Sequence, residues 1–147
     1  MCYKSAGTAR YAYNWKLRQL IDSYELAKMG VLEKSNRKFG SSIDWHKEWV
    51  LLKKELPWIG ETSKCCGQEA LRDLENAFKK FFSKKSAYPR FKKRGNKDSF
   101  RVTSNIRISS NWIQLPKLGR VKLKEEGYAI REGILHISQA TIKRQAA

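Results

Sequence analysis

A stretch of 16 residues, AYPRFKKRGNKDSFRV (87–102), places six lysine and arginine residues around one proline and two phenylalanines, with Asp98 as its only acid. Ammonium and guanidinium groups bind phosphates, and aromatic rings offer flat surfaces on which bases or ribose can stack. A solubilising tail would not need the aromatic residues, and a buried strand would not tolerate the charge. We therefore expect this stretch to contact a polyanion, with the phosphate contacts supplied by Arg90, Lys92, Lys93, Arg94, Lys97 and Arg101.

The whole chain of 147 residues is basic, with 31 Lys and Arg against 14 Asp and Glu and a formal net charge of +17. A net charge of this size predicts a polyanionic partner, which is usually nucleic acid. The competing interpretation is that the chain binds an anionic membrane surface. A hydrophobic content of 41% with 12% aromatics favours a folded protein. No apolar run reaches the length of a membrane span and the N-terminus lacks the apolar core of a signal peptide, so we predict a cytoplasmic protein without a membrane partner.

Nothing in the sequence favours a catalytic or cofactor site. The three cysteines, Cys2, Cys65 and Cys66, form neither a disulfide framework nor a zinc-ribbon spacing, and we predict no metal and no cofactor. A two-metal nuclease needs acids that converge on a cation pair, whereas Glu69 and its acidic neighbours look like exposed helix positions with salt-bridge partners. The two histidines lie far apart in sequence, and a phosphate-binding glycine loop is missing. The sequence therefore gives no reason to expect an enzyme.

Helical periodicity dominates the chain before Pro89. The first helix is predicted over 8–28, with Thr8 as its cap. Ser42 is predicted to cap a second helix, with Trp45, Trp49 and Leu52 on one face, which ends near Pro57. Ser63 should cap the longest helix, whose buried face is predicted to consist of Cys66, Ala70, Leu71, Leu74, Ala77, Phe78, Phe81 and Phe82.

The polar side of this third helix carries one stripe at spacings of four, four, three and four: Lys64, Gln68, Arg72, Glu75 and Lys79. Arginine and glutamine can bind base edges in a DNA groove, and a lysine near a helix N-terminus can bind a phosphate. The alternative is an ordinary solvated face, which most such stripes are. Spacing alone does not decide between the two.

From Phe100 onwards the pattern changes to β-strands. A strand containing Ile106 and Ile108, a turn at 109–111 and a strand containing Ile113 and Leu115 are followed by a Pro-Lys-Leu-Gly turn and a basic strand. The segments YAIREGILHIS and ATIKRQ are predicted to form a further pair. The expected fold is therefore α+β: a helical bundle of about three helices over 1–88, resembling a helix-turn-helix, and over 89–147 a small antiparallel sheet or partial barrel.

Four motifs occur in a characteristic order: GTARYAYNWKL, ELPWIGETSKCCGQEALRDLENAFKKFF, YPRFKKRGNKDSFR and WIQLPKLGRVKL. Their order and spacing resemble the TnpB (OrfB) family of transposon-encoded, RNA-guided DNA nucleases. The resemblance implies a helical recognition domain and a wedge domain of the oligonucleotide-binding type, which together hold a guide RNA and target duplex DNA. Family members continue into a nuclease domain, which we expect to be absent here and either separately encoded or lost.

The resemblance also implies functional residues. Family members read a short target-adjacent DNA motif with polar residues at the start of the third helix, at positions that match Lys64 and Gln68. Arg72 shares their stripe, and Thr103 is a further candidate for the same role. A helix-turn-helix transposase fragment or repressor that binds DNA without RNA is the alternative, and a true nuclease and a poorly folded remnant are further readings.

Overall fold

The computed structural model describes residues 2–31, 39–95, 97–127 and 129–144. Within these residues the helices are α1 (Cys2–Lys28), α2 (Ser42–Glu55) and α3 (Lys64–Phe82), and a short 3-10 helix, Pro57–Glu61, joins α2 to α3. The described residues that follow form six strands, in the order β1 (Ser99–Val102), β2 (Ile106–Ile108), β3 (Trp112–Leu115), β4 (Gly119–Lys122), β5 (Leu135–Ile137) and β6 (Ala140–Lys143). The predicted α+β class is confirmed, and the strands form open sheets rather than a closed barrel.

Two of the three predicted helix starts need correction. Helix α1 begins at Cys2, so Thr8 is an interior residue whose hydroxyl donates to the Lys4 carbonyl at 3.0 Å and caps nothing. The cap of α2 is Ser41 rather than Ser42, because Ser41 and Asp44 each bond the other's backbone N–H in a capping box. Ser63 caps α3 as predicted, its side chain accepting from the Cys65 N–H.

The core lies around α3. Trp45 and Trp49 of α2 are buried as predicted, and they pack in one cluster with Leu71 and Leu74. Phe82 was predicted to be buried and is 62% exposed, because it lies at the last turn of α3, beyond the body of the core. Strand residues such as Phe100 and Val102 belong to the same cluster as the helices. The boundary after residue 88 stays a prediction.

The strands form a two-stranded sheet, β1–β6, and a four-stranded sheet in the order β4–β3–β2–β5, and every pair is antiparallel. The turns predicted at 109–111 and 116–119 are present, the first closed by a bond from the Ser109 N–H to the Trp112 carbonyl at 2.8 Å. The predicted pairing of the last two segments was wrong. Strand β5 pairs with β2 and β6 pairs with β1, because the chain crosses from one sheet to the other between them.

Candidate nucleic-acid interface

The basic segment that follows α3 lacks regular structure over 89–95 and is held against α1 by side chains. The Asn14 amide donates to the Lys92 carbonyl at 2.9 Å and accepts from the Lys92 N–H at 2.8 Å. The Arg18 guanidinium lies 4.7 Å from the centre of the Phe91 ring. These contacts hold the segment on α1 and pair both backbone hydrogen-bonding groups of Lys92, which no helix or strand pairs.

An open groove of about 750 Å³ lies where this segment meets α1, and it is lined by Ala6, Arg10, Arg90, Phe91, Lys92, Lys93, Lys97, Asp98 and Ser99. Five of these residues are cationic and one is acidic. Asp98 is already paired with Arg10 at 2.9 Å and also accepts from the Gly95 N–H. Because Asp98 pairs with Arg10, the other four cations of the groove have no acidic partner among its lining residues, and the cleft focuses their positive potential on an approaching anion.

Four of the six predicted phosphate-binding residues line this groove: Arg90, Lys92, Lys93 and Lys97. Arg94 is exposed next to them in the chain. The Lys92 ammonium lies 4.4 Å from the centre of the Tyr13 ring. Burial lowers the pKa of Lys92 most, the charge of Arg101 lowers it slightly further, and Asp73 raises it by less than burial lowers it. An incoming phosphate would therefore stabilise the charged form of this lysine.

The sixth residue, Arg101, is engaged inside the protein. Its Nε lies 3.1 Å from Glu69, and its Nη2 pairs with Asp73. Glu69 is only 3% exposed, which corrects the expectation that the acids of α3 are solvated. A phosphate would have to compete with these two carboxylates for Arg101. In the structure, the ion pairs of Arg101 connect strand β1 to α3.

The target-motif residues predicted on α3 lie between α2 and β1. An α-helix turns by 100° per residue, and Lys64 and Gln68 therefore lie on the surface of α3 between its two packed sides. One of these sides faces Trp49 of α2 at Gly67, and the other contacts β1. Thr103 lies next to the first turn of α3, since its hydroxyl is 3.5 Å from the Cys65 sulfur. The structure thus brings Thr103, which is distant in sequence, to the same end of the helix.

The remainder of the stripe is paired within the chain. Arg72 lies 3.2 Å from Glu69, although its side chain is still 52% exposed. Lys79 lies 3.1 Å from Glu75, and the hydrogen bond from the Ser42 hydroxyl lowers the pKa of Glu75. Lys64 and Gln68 are therefore the stripe residues most available to a ligand.

His46 lies beside the N-terminal end of α3. It lines a cavity of about 180 Å³ together with Lys53 and Lys64. Burial lowers the pKa of His46, and the charges of Lys64 and Lys53 lower it further. The imidazole is consequently neutral at pH 7, and the two lysines carry the charge of this cavity.

Sequence reasoning missed Arg10 and Asn14, which complete the groove from α1. The sequence held one signal for the second residue, since asparagine is a poor helix former and Asn14 sits in the middle of a 27-residue helix. Nothing in the local sequence shows that its partner is the backbone of residue 92. Within the described ranges, no cluster of three or more His, Cys, Asp or Glu could hold a metal ion, and no helix is long and apolar enough to cross a membrane.

Comparison with known proteins gives two significant relatives. The chain is 32% identical over 121 residues, 81% of its length, to a protein of Escherichia coli (strain K12) named "Putative RNA-guided DNA endonuclease InsQ". It is 49% identical over 93 residues, 62% of its length, to a "Putative RNA-guided DNA endonuclease" of Streptomyces pristinaespiralis. The aligned parts make up 28% and 21% of these relatives, so the chain spans about a quarter of their length. No protein-family model matches the sequence.

The fold and these relatives define the class of protein: an α+β chain homologous to one part of proteins named as RNA-guided DNA endonucleases. The resemblance indicated by the four motifs is confirmed. The chain belongs to the TnpB family and corresponds to one part of the length of the relatives that it matches.

Proposed function

We propose that this chain is the nucleic-acid-binding lobe of a TnpB-like RNA-guided DNA endonuclease and that it binds guide RNA and target-adjacent duplex DNA without cutting either. The observation that carries the proposal is the groove between α1 and residues 90–99, in which one of five cations pairs with the one acid and four cations remain for a ligand. Such a groove binds a phosphate backbone without reading its sequence.

The proposal assigns the groove to a nucleic-acid backbone, through Arg90, Lys92, Lys93 and Lys97, with Arg94 beside them. Arg101 contributes by fixing β1 on α3, since its guanidinium is paired with Glu69 and Asp73. Held against α1, the segment is pre-organised, and little conformational entropy is lost when a strand binds.

Sequence reading is assigned to the other surface, at the N-terminal end of α3. Gln68 can donate to and accept from base edges, Arg72 can donate to them, Lys64 can donate to a base edge or to a phosphate, and Thr103 approaches from β1. The cationic cavity formed by Lys53 and Lys64 beside His46 supports an anionic ligand at this end of the helix.

The first experiment removes three groove charges together, with the substitutions Arg90→Gln, Lys93→Gln and Lys97→Gln. Binding to the RNA that co-purifies with the protein, and to a 20-base-pair RNA–DNA heteroduplex, is measured as a function of salt. Each phosphate contact contributes about 0.7 to the slope of log K against log salt for a single strand, so the slope should become shallower by about 2.

The matched control removes three exposed charges outside the groove, with Lys28→Gln, Lys54→Gln and Lys85→Gln. Its net charge equals that of the groove variant, so it measures the effect of overall charge. Equal loss in the two variants would show that only general attraction operates and would overturn the groove assignment. Tight binding to duplex DNA with no binding to RNA would instead favour the repressor-like alternative.

Motif reading is tested with a library of randomised duplexes. Lys64→Ala and Gln68→Ala should weaken or change the selected sequence by about 1 to 3 kcal/mol of discrimination per base contact while leaving most of the total binding. Lys79→Ala is the control, because that lysine belongs to the same stripe but is paired with Glu75. The assignment would be refuted if Lys64→Ala and Gln68→Ala both selected the same sequence as the unsubstituted chain.

A further inference from the structure

The register of the four-stranded sheet places one row of polar residues across all its strands. Arg120 of β4 lies opposite Gln114 of β3, Gln114 lies opposite Arg107 of β2, and Arg107 lies opposite His136 of β5. Residues directly opposite one another in a sheet project from the same face. On that face Trp112 and Lys122 form a second opposed pair, two residues along β3 and β4.

The opposite face of the sheet is apolar and turned towards the core. The neighbours of Arg107, Ile106 and Ile108, are buried while Arg107 itself is exposed. Ile113 and Ile137 also pack against the core cluster. The polar row therefore lies on the solvent side of the sheet.

The cations of this face have no acidic partner in the part of the chain that the structure describes. Among the described residues its members include three cations, Arg107, Arg120 and Lys122, and not one acid. No salt bridge between described residues involves any of the three, in contrast to Arg10 and Arg101. Three exposed cations left unpaired on one face favour an anionic ligand by charge complementarity.

Flat groups accompany these charges. The Arg120 guanidinium lies 4.3 Å from the centre of the Trp112 ring, and both belong to the polar face. The exposed Arg120 can present the other side of its guanidinium plane to a nucleic-acid base. Bases can stack in this way only when they are not inside a duplex, so the platform favours an unpaired strand.

We propose that the solvent face of β2–β5 is a second nucleic-acid-binding surface, which takes an unpaired polynucleotide strand. A base stacks on the Trp112–Arg120 platform, and phosphates are bound by Arg107 and Lys122. A face of four strands spaced about 4.8 Å apart is about 14 Å wide, which suits two or three nucleotides. The surface shares no residue with the groove at α1, so a strand can occupy it while a duplex occupies the groove.

The test uses the whole chain, with the groove charges removed (Arg90→Gln, Lys93→Gln, Lys97→Gln) so that the sheet is measured alone. The probes are a 12-nucleotide uridine RNA, the matching thymidine DNA and a 12-base-pair duplex. In this background, adding Arg107→Gln and Lys122→Gln should make the salt slope for either single strand shallower by about 1.4. The control adds Lys28→Gln and Lys54→Gln instead and should leave the slope unchanged.

Stacking is tested separately with Trp112→Leu and Trp112→Phe. Leucine should weaken single-strand binding by between about fivefold and about 150-fold with no change in salt slope, and phenylalanine should restore most of the affinity. If the leucine variant does not fold, the Arg107 and Lys122 variant decides alone, since both of its side chains are exposed.

The result distinguishes the two surfaces. Equal losses in the sheet and control variants, or equal affinity for duplex and single strand, would overturn the sheet proposal while leaving the groove proposal standing. Preference for RNA over DNA would show that 2′-hydroxyls are contacted, and equal binding would show recognition of any unpaired strand; both outcomes support the proposal. An unsubstituted chain that binds no nucleic acid would overturn both.

Discussion

Replacing Asn14 by alanine should weaken nucleic-acid binding at the groove although the substitution changes no charge. Asn14 makes two hydrogen bonds to the backbone of Lys92, of 2.9 and 2.8 Å, and both are partly open to solvent. Each contributes a net 0.5 to 1.5 kcal/mol to stability, and solvent exposure places them at the lower end, about 1 kcal/mol together. Without them the basic segment has to be ordered when the ligand binds.

An ordering cost of about 1 kcal/mol corresponds to a loss of affinity of about fivefold. The number of phosphate contacts in the complex stays the same, so the slope of log K against log salt should not change. Lys93→Gln should instead make the slope shallower by about 0.7 to 0.9, because it removes a contact. Asn14→Ala should therefore lower the affinity without changing the salt slope, whereas Lys93→Gln should change the salt slope.

The assay is titration of a fluorescent 20-base-pair heteroduplex at four salt concentrations. Asn76→Ala serves as the control, because it makes the same substitution at an exposed position of α3. A change of less than twofold for Asn14→Ala, or a slope that falls as it does for Lys93→Gln, would refute the view that α1 pre-organises the segment.

Three further predictions concern the scaffold. In Gly67→Ala, the new Cβ would lie 2.6 Å from the Cε2 atom of buried Trp49, so the variant should lose about 1 to 3 kcal/mol in urea unfolding; in a Trp49→Leu background the same change should be neutral or stabilising by up to about 1 kcal/mol through helix propensity, and a loss there would contradict the overlap. Glu69→Gln should cost about 3 kcal/mol, because it leaves Arg101 with a single carboxylate, and adding Arg101→Met should recover part of that loss if the pair is the cause. Burial lowers the pKa of His46 in the folded chain, so as the pH falls through about 6.5 this histidine is protonated in the unfolded chain before it is protonated in the folded chain. The free energy of unfolding should therefore decrease from pH 7.5 to 5.5. A His46→Gln variant with the same pH dependence would show that another group is responsible.

The sequence was sufficient to identify the three helices and most of the strands, although not two of the helix starts, because the elements depend on local patterns. Ser63 is followed by a long apolar periodicity, and the turn residues at 116–119 stand between two short alternating segments. The cap at Thr8 failed because a threonine inside a helix can bond to the preceding turn, and the capping box at Ser41 depends on Asp44, a residue that the prediction did not weigh.

The partners of charged and polar side chains could not be predicted in the same way. Arg101 looks like its basic neighbours in sequence, and only the packing of β1 on α3 shows that it is paired with Glu69. The pairing of β5 with β2 is equally non-local, since alternation defines the faces of a strand and not its neighbour. The residues of the groove from 90 to 97 were predictable because they are contiguous, and Arg10 was not because it comes from another element.

The pairing of β1 with β6 affects the order in which parts of the chain fold during synthesis on the ribosome. Ser99 is opposite Lys143 and Val102 is opposite Ala140, so β1 has no strand partner until about 40 more residues have been synthesised. At 5 to 20 residues per second this delay is about 2 to 8 seconds. The contacts between Asn14 and Lys92 involve only residues that are already complete by then. The nascent chain can therefore assemble its basic groove, and meet its first RNA, before its smaller sheet has closed.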